Sequence, residues 1–207
     1  MTSPAPSSSG IAAPTPAITI ADPGPLGLAA FALTTFVLSV FNAGLLSLKA
    51  EPVVFGLALS FGGIVQIIAG VIEFFKNNQF GGVAFCSYGA FWMSFWYLST
   101  HPDFFAPDAP KAQGVGIFLL GWTIFTAYMT VAASKVTGGL FATFVVLLGA
   151  FIALTVGDLS ELTVATRIGG WLGLGAAILA WYNSAAGVIN TTHGKVVLPV
   201  WPRGAGH

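Results

Sequence analysis

A chain of 207 residues that is 56% hydrophobic and 7% charged cannot wet a soluble surface, which takes roughly 25% charged residues. Its seven basic and seven acidic residues cancel, so nothing points to a nucleic-acid partner. The single cysteine, Cys86, rules out an intrachain disulfide and leaves the redox compartment open.

Residues 1–21 are rich in Pro, Ser, Ala and Thr and hold no Lys or Arg. With no apolar run long enough for a signal h-region, this stretch reads as a disordered N-terminal tail rather than a signal peptide. Six apolar windows of bilayer-spanning length follow: Leu26–Leu48, Val53–Phe75, Phe80–Ser99, Val115–Ser134, Gly138–Val156 and Ile168–Ile189. Hydrocarbon leaves backbone N–H groups no partner outside the segment, so each window is predicted to be a helix. The fold class is therefore an all-α membrane protein of six transmembrane helices. Residues 22–199 are expected to form one six-helix domain and 200–207 a C-terminal tail.

The breaks between windows carry nearly all the charge, among them Lys49, Lys76, Lys111, Lys135, Asp158, Glu161 and Arg167. An even number of spans puts both termini on one side, together with Lys76, Lys135, Lys195 and Arg203. Lys49, Lys111 and Arg167 fall on the other. The positive-inside rule then assigns cytoplasmic termini in the cell (inner) membrane.

In the first window Phe31, Thr35, Leu38 and Asn42 share a face. Asn42 either bonds another helix or lines a pore. In the second, Gly62, Gly63, Gln66, Ala69, Gly70 and Glu73 fall close to one face, with Gln66 and Glu73 about two turns apart. Glu73 is the only acid inside a predicted span. It faces protein or a water path, or it snorkels beside Lys76 as an anchor. Gln66 is deeper, which favours packing or a pore. In the third window Trp96 and Tyr97 fit an interfacial aromatic belt. Ser87 and Tyr88 lie deeper, and the Tyr88 hydroxyl must be satisfied internally. Gly169 and Gly173 are spaced for close helix packing.

No His/Cys/acid cluster with metal spacing, nucleophile elbow or phosphate loop appears. His101, His193 and His207 fall in breaks or the tail. Enzyme chemistry and a cofactor are not expected. The composition alone leaves transport, channel-like facilitation and a non-transporting scaffold or sensor open.

Asp22-Pro23-Gly24-Pro25-Leu26-Gly27-Leu28 stands just ahead of the first span. It resembles the Asn-Pro-Ala-Pro-Leu-Gly-Leu signature of the acetate uptake transporter family, the succinate–acetate permeases or Gpr1/Fun34/YaaH family. The pattern Gly62-Gly63-x-x-Gln66-x-x-Ala69-Gly70-x-x-Glu73 is similar to that family's second helix. Asn78-x-Phe80-Gly81, Ser87-Tyr88-Gly89, Gly170-Trp171-x-Gly173-Leu174 and Gly194-Lys195-x-x-Leu198-Pro199 continue the likeness to Pro199.

The resemblance implies a six-helix protomer with its own pore, assembled as a homohexamer. It also implies passage of acetate and other small carboxylates, succinate among them, coupled to protons. It carries an apolar constriction over to Phe31, Tyr88 and Leu147. Thr35, Asn42, Gln66 and Ser87 become polar pore candidates, and Glu73 the proton-coupling candidate. Asp22, Pro23, Pro25 and Gly27 mark the pore mouth. The family's Asn is Asp22 here. An ionised Asp only accepts hydrogen bonds and repels an anion, so a capping role or a pH-linked role replaces direct anion binding.

Overall fold

The computed structural model describes residues 20–203, which form six long helices. Residues 1–19 and 204–207, which hold most of the expected N-terminal tail and the end of the C-terminal one, lie outside the described residues. The helices are α1 (Gly24–Asn42), α2 (Val53–Phe75), α3 (Gln79–Thr100), α4 (Lys111–Ala133), α5 (Gly138–Leu159) and α6 (Thr163–His193). Five of them are long and apolar enough to span a bilayer by hydropathy; α3 is as long but diluted by its Ser, Gly, Trp and Tyr content.

Local chemistry sets the helix ends. Pro25 stands in the first turn of α1, where a missing N–H costs nothing. Asn78 caps α3 and Thr137 caps α5, their side chains accepting from the Gly81 and Leu140 N–H groups. Gly44 (φ +76°) and Gly194 (φ +62°) take the left-handed conformation just past α1 and α6.

These glycines account for two differences from the sequence windows. The first helix stops at Asn42 instead of running on to Leu48, because Gly44 turns the chain while its composition stays apolar. Leu45, Leu46 and Leu48 remain exposed on the connecting segment. The sixth helix begins at Thr163 and runs to His193, where Gly194 ends it. At 31 residues it is about 46 Å long, well beyond a bilayer core of about 30 Å. Arg167 and Asp158, expected between spans, are helical, and His193 is the last residue of α6 rather than a loop residue. Glu73 is thus not the only acid on a long helix.

The helices form a ring in the order α1, α6, α5, α4, α3, α2. Small residues close the α1–α6 contact: the Gly170 Cα faces the Ala43 backbone, and Gly173 faces the Ser39 side chain. Between α3 and α4 the backbones stand apart and aromatic rings fill the gap. Phe91 stacks on Phe118 at 5.6 Å, and Tyr88 meets Phe125 edge-on at 5.2 Å. Much of the outer surface is apolar, with Val131, Val164 and Phe75 about 70% exposed, as a lipid-facing surface requires. The chain is a multi-pass membrane protein.

In α2, a π-helical turn over Ser60–Val65 interrupts the α-helix. Gly62 there lies against Thr34 of α1, and Gly63 against Met93 of α3. All six residues of the α2 stripe are buried.

The Gly170 contact yields a stability prediction. A methyl group at that position would overlap the Ala43 backbone nitrogen, and backbone cannot rotate away. Gly170→Ala is expected to destabilise the protein by about 1–3 kcal/mol. A thermal midpoint in detergent equal to wild type would contradict it.

Candidate functional site: a cavity inside the helix ring

A cavity of about 310 Å³ opens beside the start of α1 and runs inward between the helices. Its mouth is framed by Asp22, Gly24, Asn78 and Gly81, by Val136 and Thr137, and by Asn190, Thr191 and Val200. Val200 reaches it because the chain after α6 folds back. The Val200 and Trp201 carbonyls accept from the Gly139 and Gly138 N–H groups, and the Asn190 carboxamide ties down Val197 and Leu198. The described part of the expected C-terminal tail, 200–203, is therefore a strap against the start of α5.

The Asp-Pro-Gly-Pro-Leu-Gly stretch is built into this mouth. Ser184 of α6 donates to the Pro25 carbonyl at 2.6 Å, and the Pro25 ring lies against Gly187. A side chain at Gly27 would come within 2.8 Å of the Phe85 ring, so glycine is what lets α3 approach. Asp22 is exposed and accepts from the Gly24 N–H at 3.2 Å and from Lys76 Nζ at 2.9 Å. The first contact is a local bond just ahead of the cap residue Pro23, and α1 has no side-chain cap. The ion pair with Lys76 links the starts of α1 and the α2–α3 turn, and at that exposure it contributes at most about 1 kcal/mol.

Glu73 is not an exposed anchor beside Lys76. It is 2% exposed, and Lys76 points to Asp22 instead. Its carboxylate accepts from Asn78 Nδ2 at 2.8 Å and packs against Gly24 and Gly81. Two residues without side chains thus make room for one carboxylate. Asn78 serves it and the α3 N-terminus at once.

Deeper in, Phe31, Tyr88 and Leu147 all line the cavity and belong to one buried cluster. The Phe31 and Tyr88 rings are 5.9 Å apart, and Phe144 stands 6.1 Å from Tyr88 and 5.5 Å from Phe80. The Tyr88 hydroxyl is satisfied internally by Thr126 Oγ1 at 2.9 Å. Thr123 and Thr130 of the same helix bond the carbonyl one turn back, whereas Thr126 is turned to Tyr88.

Gln66 also lines the cavity and is 1% exposed, with neither amide atom partnered among the described residues. Asn183 of α6 lines it as well. Its Nδ2 donates to Thr143 Oγ1 and the Leu179 carbonyl, while its Oδ1 has no partner. Asp22 and Glu73 are the charged residues of the lining, which includes no Lys, Arg or His.

Of the residues picked out from the sequence, Asp22, Pro25, Phe31, Gln66, Glu73, Tyr88 and Leu147 are brought together here. Thr35, Asn42, Ser87, Pro23 and Gly27 are not in this lining. Thr35 is buried with an unpartnered Oγ1. Asn42 ends α1, about 16 Å along the helix from Phe31. Ser87 is half-buried. Pro23 precedes α1 as its cap residue. Sequence reasoning missed Phe144 and Asn183. Phe144 stands one turn before Leu147, so helical spacing carried a signal for it. Asn183 had only the signal of an amide within an otherwise small and apolar stretch.

The sequence pattern of the GPR1/FUN34/yaaH family matches residues 5–203. Ammonia transport outward protein 2 of Saccharomyces cerevisiae is 41% identical over 194 residues, 90% of this chain and 68% of that protein. The succinate-acetate/proton symporter SatP of Escherichia coli K12 is 35% identical over 184 residues, 87% of this chain and 95% of that one. The solved structure of the bacterial acetate channel SatP superposes with a TM-score of 0.83 at 34% identity, covering 88% of this chain and 99% of that one. Fold and sequence agree over nearly all of the described residues: the chain belongs to the GPR1/FUN34/YaaH family.

Proposed function

We propose that this protein carries acetate and related small carboxylates, succinate among them, across the cell (inner) membrane, coupled to protons. Each protomer has its own pore, the protomers form a homohexamer, and both termini are cytoplasmic. The observation that carries the reading is a cavity whose inner part is neutral and hydrogen-bonding, ending on Phe31, Tyr88 and Leu147. A fixed cation would hold a carboxylate tightly, whereas neutral groups replace part of its hydration and still release it. The names of two relatives, an acetate channel and a succinate-acetate/proton symporter, support the substrate class. Phe31, Tyr88 and Leu147 act as the size filter, and buried Glu73 links passage to protons.

Uptake of labelled acetate, succinate and lactate into proteoliposomes, with and without an inward proton gradient, tests this. Acetate uptake above that of protein-free vesicles, stimulated by the gradient, is expected. No acetate flux would return the chain to a scaffold or sensor. Flux indifferent to the gradient would favour a channel-like facilitator of acetate or of another small solute such as ammonia. The names of the solved channel and of the yeast relative speak for that second reading.

A further inference from the structure

The buried polar groups of the cavity let a carboxylate pass but match its undissociated acid better. Gln66 presents one NH₂ and one carbonyl oxygen, both unpartnered and shut away from water. Whichever way the amide is turned, a donor and an acceptor stand side by side. Asn183 adds no free donor, and its orientation is fixed by its partners. The Leu179 carbonyl can only accept, and the Thr143 hydroxyl already donates to the Gly139 carbonyl, so both must face Nδ2. Its Oδ1 is then turned against the Gly139 Cα. Among the described residues no cation lines the cavity, and its charged residues are the two acids Asp22 and Glu73.

A carboxylate brings acceptors and no donor. Against Gln66 it would satisfy the NH₂ and set its own lone pairs against Oε1. It would also bring an uncompensated charge into an apolar ring, where ions are costly. An undissociated carboxylic acid fits instead: its C=O accepts from Nε2 while its O–H donates to Oε1, closing a planar ring of two hydrogen bonds. A primary carboxamide makes the same pair with its C=O and one N–H.

We propose that Gln66 is a binding site for small neutral acyl groups bearing both a donor and an acceptor. These are the undissociated acid and, as a further substrate class, short primary carboxamides. This rests on the transport reading above and deepens it. The proton crosses the narrow part of the pore bonded to the substrate itself, and a molecule that needs no proton, such as acetamide, passes as well.

The experiment uses the reconstituted full chain. Acetamide entry is followed by light scattering as vesicles swell, and labelled acetate uptake is measured on the same preparation. Wild type is expected to pass acetamide faster than protein-free vesicles, and excess acetamide to slow labelled acetate uptake. Gln66→Leu, close in volume and without either polar atom, is expected to lower acetamide entry about tenfold, the scale of a lost polar match in a substrate site. Acetate uptake with acetamide entry at the protein-free rate and no competition overturns the inference and leaves the transport reading standing. Absence of acetate uptake overturns the transport reading itself. Acetamide entry in Gln66→Leu equal to wild type removes Gln66 from the site. Should that variant fail to elute as a folded species, the wild-type competition decides alone.

Discussion

Leu147→Ala is expected to admit lactate at a rate that wild type does not, with Phe31→Ala acting in the same direction. Both side chains are buried and border the cavity, Leu147 at 5% exposure and Phe31 at 6%. Lactate carries a methyl and a hydroxyl on the carbon beside its carboxyl, whereas acetate and the unbranched succinate are narrower there, so a filter of apolar side chains separates them by width. One methylene of misfit costs about 1–3 kcal/mol, or roughly 10–200-fold in rate. Removing the Leu147 side chain beyond Cβ opens more room than that misfit requires. The lactate-to-acetate uptake ratio should therefore rise about tenfold or more. Phe31→Ala removes the ring that faces Tyr88 at 5.9 Å and leaves Tyr88 held by Thr126, so the opening widens on one side only. Unchanged selectivity in both variants, measured with labelled lactate and acetate, would show that the filter lies elsewhere.

Glu73→Gln is expected to slow acetate uptake about tenfold and to flatten its dependence on external pH. Tenfold corresponds to about 1.4 kcal/mol, close to the lower end of what one hydrogen bond to a charged group contributes. The replacement is nearly isosteric and can still accept from Asn78, so the packing against Gly24 and Gly81 should survive. What it removes is the ability to take and release a proton. Glu73 lies on the same α2 face as Gln66 and nearer the mouth. It is therefore placed to exchange a proton with an entering carboxylate before the neutral acid reaches Gln66. Initial rates over a series of external pH values check this. Wild-type rates with wild-type pH dependence would reduce Glu73 to a structural link between α2 and α3.

The membrane spans were legible because burial in lipid leaves a coarse signal that averages over many side chains. Helix ends depend on single residues, and hydropathy does not register them. Gly44 turns the chain inside an apolar stretch, and polar Thr163 and Thr166 continue a helix that composition would start later. The place of Phe31 and Tyr88 in the cavity lining was legible through motif resemblance, since both stand beside recognisable sequence. The state of Glu73 was not. Near a span end it reads equally as an anchor, and only the approach of Gly24 and Gly81 from two other helices buries it. Asn183 stayed hidden for the same kind of reason, because Thr143, one of the groups that orient its amide, lies 40 positions away on α5. Thr126 likewise gains its role only once Tyr88 arrives from α3.

The strap that returns Val200 and Trp201 to the start of α5 has a practical side. The last described residues lie at the rim of the vestibule, so any reporter or affinity handle joined directly to them is tethered over the doorway. Cutting the chain ahead of residue 200 would strip part of the vestibule wall. A handle on a short linker would act as a plug whose reach sets how often the doorway stands clear.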